Sequence, residues 1–372
     1  MNSSASKYKI CIVSDHLSGG GAERCSAVLS VFFEQNNIAV HHVLVQDKIE
    51  YTYAGEVLNL GKLKKGGFNL YDRFQRLITL HHFLRNHQFD YIIDTRVKNR
   101  QWQEWFIFKF IYNAPTIILV HSYMTEMYFP KLLFLAKHIF KKCKAIVSVS
   151  KLISEKITSH YNYSQVATIY NPIDLISIAQ QSKENINVDY KYILAVGNMQ
   201  VDVKQFDKLI KIYAHSELPN RNIKLLIIGQ GDLLLGLQQL AIELQLQDKV
   251  IFKGSSSNPF PYYKEALFTV LTSRNEGFPT VLIESLACGT PVVSFNCLSG
   301  PSEIIQHETN GLLVENQNEE KFVLAMNEMV LNEKLYYHCK QNAKQSVQQF
   351  SLEAIGQQWL QLLNLQKNDQ EI

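Results

Sequence analysis

The run from Ser273 to Val293, SRNEGFPTVLIESLACGTPVV, constrains this chain more than any other stretch. Gly277 and Pro279 hold off an early helix start, Thr280 is placed to cap, and Val281 to Ala287 reads as a helix. Phe268 to Leu271 before it and Pro291 to Phe295 after it are strand-like, the second following Gly289 after a short loop. A helix so placed is a crossover between parallel strands, and its N-terminus points at the carboxyl edge of the sheet, where open α/β sheets bind ligands. Two glutamates frame the junction. Glu276 sits in the mouth of the loop and Glu284 lies about two turns along the helix. One glutamate there would do no more than offset the helix dipole; two, beside backbone N–H groups free for an anion, outline a site.

The 372 residues, 46% of them hydrophobic, suffice for two domains of about 150 to 200 residues, each with its own core. Lys9 to Ser14, Val40 to Val45, Tyr91 to Thr95, Thr116 to His121 and Ala145 to Ser150 read as short buried strands. Ala22 to Gln35, Asp72 to Asn86 and Phe129 to Lys141 between them read as helices, giving a first doubly wound α/β domain over 1–175. The polar stretch Gln180 to Asp189 is predicted as a linker. A second such domain, over 190–350, has strands at Tyr192 to Val196, Lys224 to Ile228, Val250 to Phe252, Phe268 to Leu271 and Val292 to Phe295. Helices are expected at Val323 to Val330, Glu333 to Gln348 and Leu352 to Asn364. Leu352, Ile355, Trp359, Leu360 and Leu363 form an apolar stripe that must pack against something. Gln366 to Ile372 is expected to fray.

A formal net charge of +3, with 19% charged residues, gives no case for nucleic-acid binding. The six cysteines (11, 25, 143, 288, 297, 339) are dispersed without a C-x-x-C pair, which suggests reduced thiols in a cytoplasmic protein rather than a disulfide framework or zinc site. The N-terminal MNSSASKYK lacks an apolar signal core. Trp105 to Val120, the longest apolar region, is broken by Lys109, Asn113 and Pro115, so no spanning helix is expected.

Gly19-Gly20-Gly21-Ala22-Glu23-Arg24 lies between the first strand and its helix, where glycines let a phosphate or sugar approach the backbone. It is not the G-x-G-x-x-G dinucleotide fingerprint, and a tight turn would use the same residues. His121 ends the strand-like IILVHSY at the carboxyl edge of the first sheet. Lys131 to Lys144 joins apolar and basic residues at helical spacing. This fits a helix resting on an anionic membrane, or a core-facing helix with a solvated basic edge; Lys62, Lys64 and Lys65, ahead of Gly66-Gly67-Phe68, add a second basic loop. No D-x-D carboxylate pair occurs, so no metal requirement and no cofactor are expected.

The segment EGFPTVLIESLACGTPVV resembles the E-x7-E signature of family 4 retaining glycosyltransferases, which have the GT-B fold of two Rossmann-like doubly wound domains facing an interdomain cleft. The resemblance implies that Glu276 contacts sugar hydroxyls of a nucleotide-sugar donor and that Glu284 holds the ribose. The amides of Gly277, Phe278, Pro279 and Thr280 would face sugar and diphosphate. GGAER is similar to a family segment that faces the cleft, which implies a donor-phosphate or acceptor role for Gly20 and Gly21. Val196-Gly197-Asn198-Met199, followed by Lys204, matches the region where an arginine and a lysine clamp the diphosphate; Asn198 stands in the arginine's place and Gln205 in that of a glycine. Arg274, just before the E-x7-E loop, is either a replacement cation or an exposed surface arginine. Gly229-Gln230-Gly231-Asp232 resembles a family turn near the base and diphosphate, and Lys253-Gly254 occupies the region that lines the nucleobase in the family, through main-chain groups. A histidine at the position of His121 lies beside the transferred sugar in the family, and the last helix crosses back to the first domain.

The reading is a retaining glycosyltransferase. It moves a hexose or N-acetylhexosamine from a UDP-sugar to a hydroxyl of a lipid-linked saccharide in bacterial surface glycan synthesis, in the cytoplasm or at the inner face of the membrane, with peripheral contact to anionic lipid. His121, Glu276 and Lys204 are the catalytic candidates, and Lys204 with the helix amides would stabilise the leaving diphosphate. The rivals are a UDP-sugar epimerase or a phosphorylase on the same architecture, whose residue patterns are not apparent, and a noncatalytic sugar- or partner-binding protein, which the Asn198 departure keeps open and the joint presence of Glu276, Glu284, Lys204 and His121 argues against.

Overall fold

The computed structural model describes residues 8–64, 70–98, 100–130 and 133–365. The N-terminal tail through Lys7, Lys65 to Phe68, Lys131 and Gln366 to Ile372 lie outside the described residues. The chain divides into two compact units, Met1–Pro172 with Leu352–Ile372, and Ile173–Ser351.

The first unit contains β1 (Tyr8–Ser14), α1 (Gly21–Gln35), β2 (Ile38–Leu44), β3 (Glu56–Asn59), α2 (Leu70–His87), β4 (Tyr91–Asp94), α3 (Gln101–Phe106), β5 (Thr116–Val120), α4 (Leu133–Phe140), β6 (Ala145–Ser148), α5 (Lys151–Tyr161) and β7 (Val166–Thr168). The seven strands form one parallel sheet in the order β3-β2-β1-β4-β5-β6-β7. β5 and β6 are buried at every position, as strands covered on both faces must be, which is why their apolar runs are continuous. The apolar region from Trp105 splits into the end of α3, a π-helical turn at Ile107–Ile111 and β5, with Pro115 at the break. No described helix is long and apolar enough to cross a membrane.

The second unit contains α6 (Leu175–Gln181), β8 (Tyr192–Val196), α7 (Phe206–His215), β9 (Lys224–Ile228), α8 (Leu234–Glu243), β10 (Val250–Gly254), α9 (Phe260–Glu265), β11 (Thr269–Leu271), α10 (Thr280–Cys288), β12 (Val292–Phe295), α11 (Pro301–Ile304), β13 (Gly311–Val314), α12 (Glu319–Leu331) and α13 (Glu333–Ser346). Its six parallel strands run β10-β9-β8-β11-β12-β13 over a core that includes Ile193, Leu209, Phe268, Phe295 and Phe322. Helix α14 (Leu352–Leu362) belongs with the first unit and packs on α1, where Gly356 lies against the Phe32 ring and Trp359 is buried.

Four expectations are corrected. The second unit begins at Ile173, not near 190, so 180–189 is no linker: Asp174 caps α6 through the Ser177 N–H (2.8 Å), and the Asn258 amide donates to the Gln181 carbonyl (3.1 Å) and to Glu184 (2.6 Å). Hydrogen bonds rather than apolar packing hold this polar stretch, and a hydrophobic pattern does not register them. Helix α10 starts at Thr280 with Pro279 as its N-cap and no side-chain cap, so Thr280 does not cap. Strands β3, β7 and β13 were not foreseen. All three are sheet edges of three or four residues, too short for a periodic signal. Lastly, Phe129 and Pro130 are not helical and α4 is described over Leu133–Phe140; it buries Ala136, Ile139 and Phe140 and exposes Phe134, Lys137 and His138, with Lys141 and Lys142 exposed beyond its end.

Candidate active site

In the second sheet the strand order reverses between β8 and β11, the switch point where open parallel sheets leave a crevice. The loops after these two strands, 197–205 and 272–279, flank it. The first is fixed by backbone contact with its neighbours: Gly197 N–H donates to the Ile228 carbonyl (3.0 Å), Met199 N–H to Gln230 (2.9 Å) and Gly229 N–H to Gly254 (2.9 Å). A Cβ on Gly229 would lie 1.9 Å from the Gly197 oxygen, and one on Gly231 2.2 Å from the Met199 carbonyl carbon. The glycine turn therefore exists so that the loops after β8 and β9 can touch.

Lys204 and Glu276 meet across this crevice, Nζ to Oε1 at 2.7 Å, with side chains 21% and 12% exposed. Two backbone devices present them. The Thr272 hydroxyl donates to the carbonyls of Lys204 (3.0 Å) and Gln205 (3.3 Å), and Gln205 takes the left-handed conformation at the start of α7, φ 52°, which the family's glycine would adopt without a Cβ penalty. On the other side Glu276 N–H donates to the Leu298 carbonyl (2.6 Å) and the Ser299 hydroxyl to the Gly277 carbonyl (2.8 Å). Gly300, at φ +98°, lets the chain pass so close that a Cβ would sit 2.5 Å from the Pro279 ring. Ser299 and Gly300 were missed in the sequence; a Gly-Pro step opening a helix after a strand was the available signal.

Pro279 has no N–H, so of the four residues expected to offer amides only Gly277, Phe278 and Thr280 have one. The Phe278 ring is turned inward onto Phe350, centroids 5.2 Å apart. Glu284 lies in the second turn of α10, buried, and accepts a hydrogen bond from the Tyr263 hydroxyl at 3.0 Å. Asn198 Oδ1 accepts from Gln200 N–H (2.6 Å) and so shapes its own turn, supplying no charge. Arg274 pairs with Asp202 at 2.9 Å, both more than half exposed, and its N–H holds the Val203 carbonyl. Lys253 is exposed, with its ammonium 5.9 Å from the centre of the Tyr262 ring. The crevice thus brings together, among the described residues, the largely shielded ammonium of Lys204, the shielded carboxylates of Glu276 and Glu284, and a helix start without a side-chain cap.

In the first unit Gly19 is left-handed (φ +72°) and Gly20 is the N-cap of α1; a Cβ on Gly20 would lie 2.2 Å from the Glu23 carboxylate, whose pKa burial raises. Gly21 is the first residue of α1, and the Arg24 guanidinium stands 5.5 Å from the centre of the Tyr51 ring. His121 follows β5. Its N–H donates to the Tyr128 hydroxyl (3.3 Å) and its ring is buried with Asn171 beside it; burial outweighs the opposing Asn171 contact and lowers its pKa to about 4, so the ring is neutral at physiological pH.

The first sheet has its own switch point between β1 and β4. There Arg96 grips Asp94 (2.8 and 3.0 Å) and Glu104 (2.9 Å), Tyr112 donates to Asp94 (2.9 Å), and Lys98 lies 3.5 Å from Asp94, all buried or nearly so. Burial opposes ionisation of Asp94, but Arg96 and Lys98 outweigh it and hold the carboxyl below its ordinary range. Beside this network is a pocket of about 790 Å³ whose walls include Arg73, Arg76, Arg96, Arg100, Leu77 and Phe106. The network was also missed; the alternating charges of Asp94-Thr95-Arg96-Val97-Lys98 directly after a buried strand were its signal.

The model for glycosyltransferase family 4 matches residues 19–176, and that for glycosyl transferases group 1 matches 177–346. The chain is 31% identical over 362 residues to a Campylobacter jejuni enzyme, N-acetylgalactosamine-N,N'-diacetylbacillosaminyl-diphospho-undecaprenol 4-alpha-N-acetylgalactosaminyltransferase, covering 93% of this chain and 97% of that one. This chain is a family 4 glycosyltransferase of the GT-B fold. The family 4 enzyme is also 23% identical to the amylovoran biosynthesis glycosyltransferase AmsD of Erwinia amylovora, over 96% of this chain and all of that one. Among solved structures, Anabaena Alr3699/HepE in complex with UDP and glucose superposes with a TM-score of 0.77 at 18% identity, over 96% of this chain and 99% of that one.

Proposed function

We propose that this family 4 enzyme transfers a hexose or N-acetylhexosamine from a UDP-sugar, with retention at the anomeric carbon, to a hydroxyl of a lipid-linked saccharide in bacterial surface glycan synthesis. The observation that carries the reading is the Lys204–Glu276 pair at the switch point, beside the start of α10 and the buried Glu284. Donor binding moves Lys204 from Glu276 onto the diphosphate. Glu276, released, accepts hydrogen bonds from sugar hydroxyls, and Glu284, held by Tyr263, receives the ribose. As the glycosidic phosphate bond breaks, charge grows on the departing diphosphate. Lys204 and the N–H groups at the start of α10 stabilise it, so the reaction needs neither metal nor cofactor. His121 contributes a neutral imidazole that positions the sugar. The Gly20–Gly21 turn at the start of α1 gives a second close approach for phosphate or acceptor.

Support for UDP comes from the fold relative solved with it, and support for a lipid diphosphate acceptor from the Campylobacter enzyme's name. The arginine-walled pocket of the first unit has the charge for an anionic acceptor. Exposed Phe134 and Lys137 of α4, with Lys141 in the turn that follows it, offer a face to anionic lipid at the inner surface of the cytoplasmic membrane.

The test is release of nucleotide diphosphate from a panel of nucleotide sugars, in EDTA, with and without undecaprenyl-diphosphate-linked acceptors. Acceptor-dependent UDP release from one donor supports the reading. Release that stops in EDTA while the thermal midpoint is unchanged overturns the metal-free mechanism, and release of a nucleotide other than UDP overturns the donor assignment. Failure of the protein to bind anionic vesicles at low salt overturns the membrane contact.

A further inference from the structure

Among the described residues, His41, Glu56 and His87 form one group with metal-ligating chemistry, each offering an atom within 4.8 Å of the other two. They come from three elements of the first unit. Parallel pairing of β2 with β3 sets His41 directly opposite Glu56, with Nε2 to Oε2 at 3.4 Å. The last residue of α2 brings the His87 ring to 4.8 Å from that of His41, centroid to centroid.

Two details distinguish this group from an incidental contact. His87 Nδ1 lies 2.9 Å from the Phe83 carbonyl. A carbonyl can only accept, so Nδ1 carries the proton and Nε2 keeps its lone pair, the arrangement by which an outer hydrogen bond orients a ligating imidazole. His41 is 8% exposed, one ring nitrogen facing Glu56 and the other, Nδ1, buried with no hydrogen-bond partner. Around them the rings of Phe83 and Phe89 form an apolar wall, His41 to Phe89 at 5.2 Å and Phe83 to His87 at 4.3 Å. Glu56 is the exposed member, its side chain 78% accessible, so it can swing inward and water can complete the coordination.

We propose that His41, Glu56 and His87 bind a divalent transition ion of the zinc class. Two imidazoles and one carboxylate are a ligand set for zinc, nickel or copper rather than for magnesium or calcium, which take oxygen. Tetrahedral bonds of about 2.0 to 2.2 Å place ligand atoms about 3.3 Å apart, so the His41–Glu56 pair already has the required separation, and rotation of the exposed Glu56 side chain toward His87 closes the remainder. The bound ion ties the four-residue edge strand β3 and the end of α2 to β2, stabilising an edge held by few strand hydrogen bonds. The site uses none of the groups assigned to transfer, and it stands or falls separately from the proposed reaction.

The experiment uses the full chain, stripped with EDTA and dialysed, titrated with Zn2+ by calorimetry, with Mg2+ as control and thermal unfolding in parallel. The expected result is one Zn2+ per chain with a raised unfolding midpoint, and no response to Mg2+. Glu56→Gln and His87→Gln should each weaken binding at least about tenfold while leaving the metal-free midpoint where it was. Cobalt should give a visible absorption band that is lost in Glu56→Gln. Zn2+ heat no greater than that of Mg2+, or wild-type Zn2+ affinity in Glu56→Gln, overturns the proposal; because Glu56 is exposed, that variant remains informative even if His87→Gln fails to fold.

Discussion

Replacing Lys204 and Glu276 one at a time should move nucleotide affinity in opposite directions. Their ion pair is 2.7 Å long with side chains 21% and 12% exposed, between the surface pairs that contribute under about 1 kcal/mol and the buried ones whose disruption costs about 3 to 5. Discounted for solvent, about 1 kcal/mol must be surrendered when a diphosphate takes Lys204 from Glu276. Glu276→Ala removes that competitor, so UDP should bind about fivefold tighter, while turnover falls at least about a hundredfold because the sugar loses its orienting carboxylate. Lys204→Ala removes a charge-assisted hydrogen bond of about 1.5 to 3 kcal/mol and leaves a carboxylate facing the phosphates. UDP affinity should then fall at least about tenfold and kcat about 10² to 10³-fold. Calorimetry with UDP and a UDP-release assay measure both, with circular dichroism confirming the fold. UDP affinity that is unchanged or weakened in Glu276→Ala would refute the exchange and leave the pair a structural strut.

Gly300→Ala should raise the KM for the donor at least several-fold with only a few degrees' loss of thermal midpoint, because a Cβ 2.5 Å from Pro279 pushes the 277–279 loop; wild-type KM would show that the loop yields freely. Tyr263→Phe strips the hydrogen bond from buried Glu284 and should weaken UDP by about tenfold, read by the same calorimetry; an unaltered Kd would remove Glu284 from the ribose site. Gly356→Ala places a Cβ 2.3 Å from the ring of fully packed Phe32 and should cost about 1 to 3 kcal/mol in urea unfolding; no loss would mean that α14 is not seated on α1 as described. His42 is wholly buried and held near pKa 4 against an ordinary 6.5, chiefly by burial. A depressed histidine pKa contributes stability that is complete above 6.5 and lost as pH falls through 4, up to about 3 kcal/mol. Equal urea stability of the first unit at pH 7.5 and 4.5 would contradict that.

Two parallel α/β units were legible in the chain because strands buried on both faces, such as β5, β6, β8 and β9, must be apolar throughout, and because a single crossover helix with its loop announces the carboxyl edge of its sheet. The glutamates at 276 and 284 and the lysine at 204 were visible as residue types in register with a motif. What the sequence could not contain is distance. That Lys204 closes on Glu276 and that Tyr263 holds Glu284 depend on which loops the strand order makes neighbours. Edge strands and the 173–189 segment escaped for a related reason, since hydrogen bonds to partners far along the chain hold them rather than a periodic apolar face. Local pattern determined the two sheets and the edge at which ligands bind; only tertiary structure decided which charges meet there, because the pairing acts between groups that the chain leaves 21 and 72 residues apart.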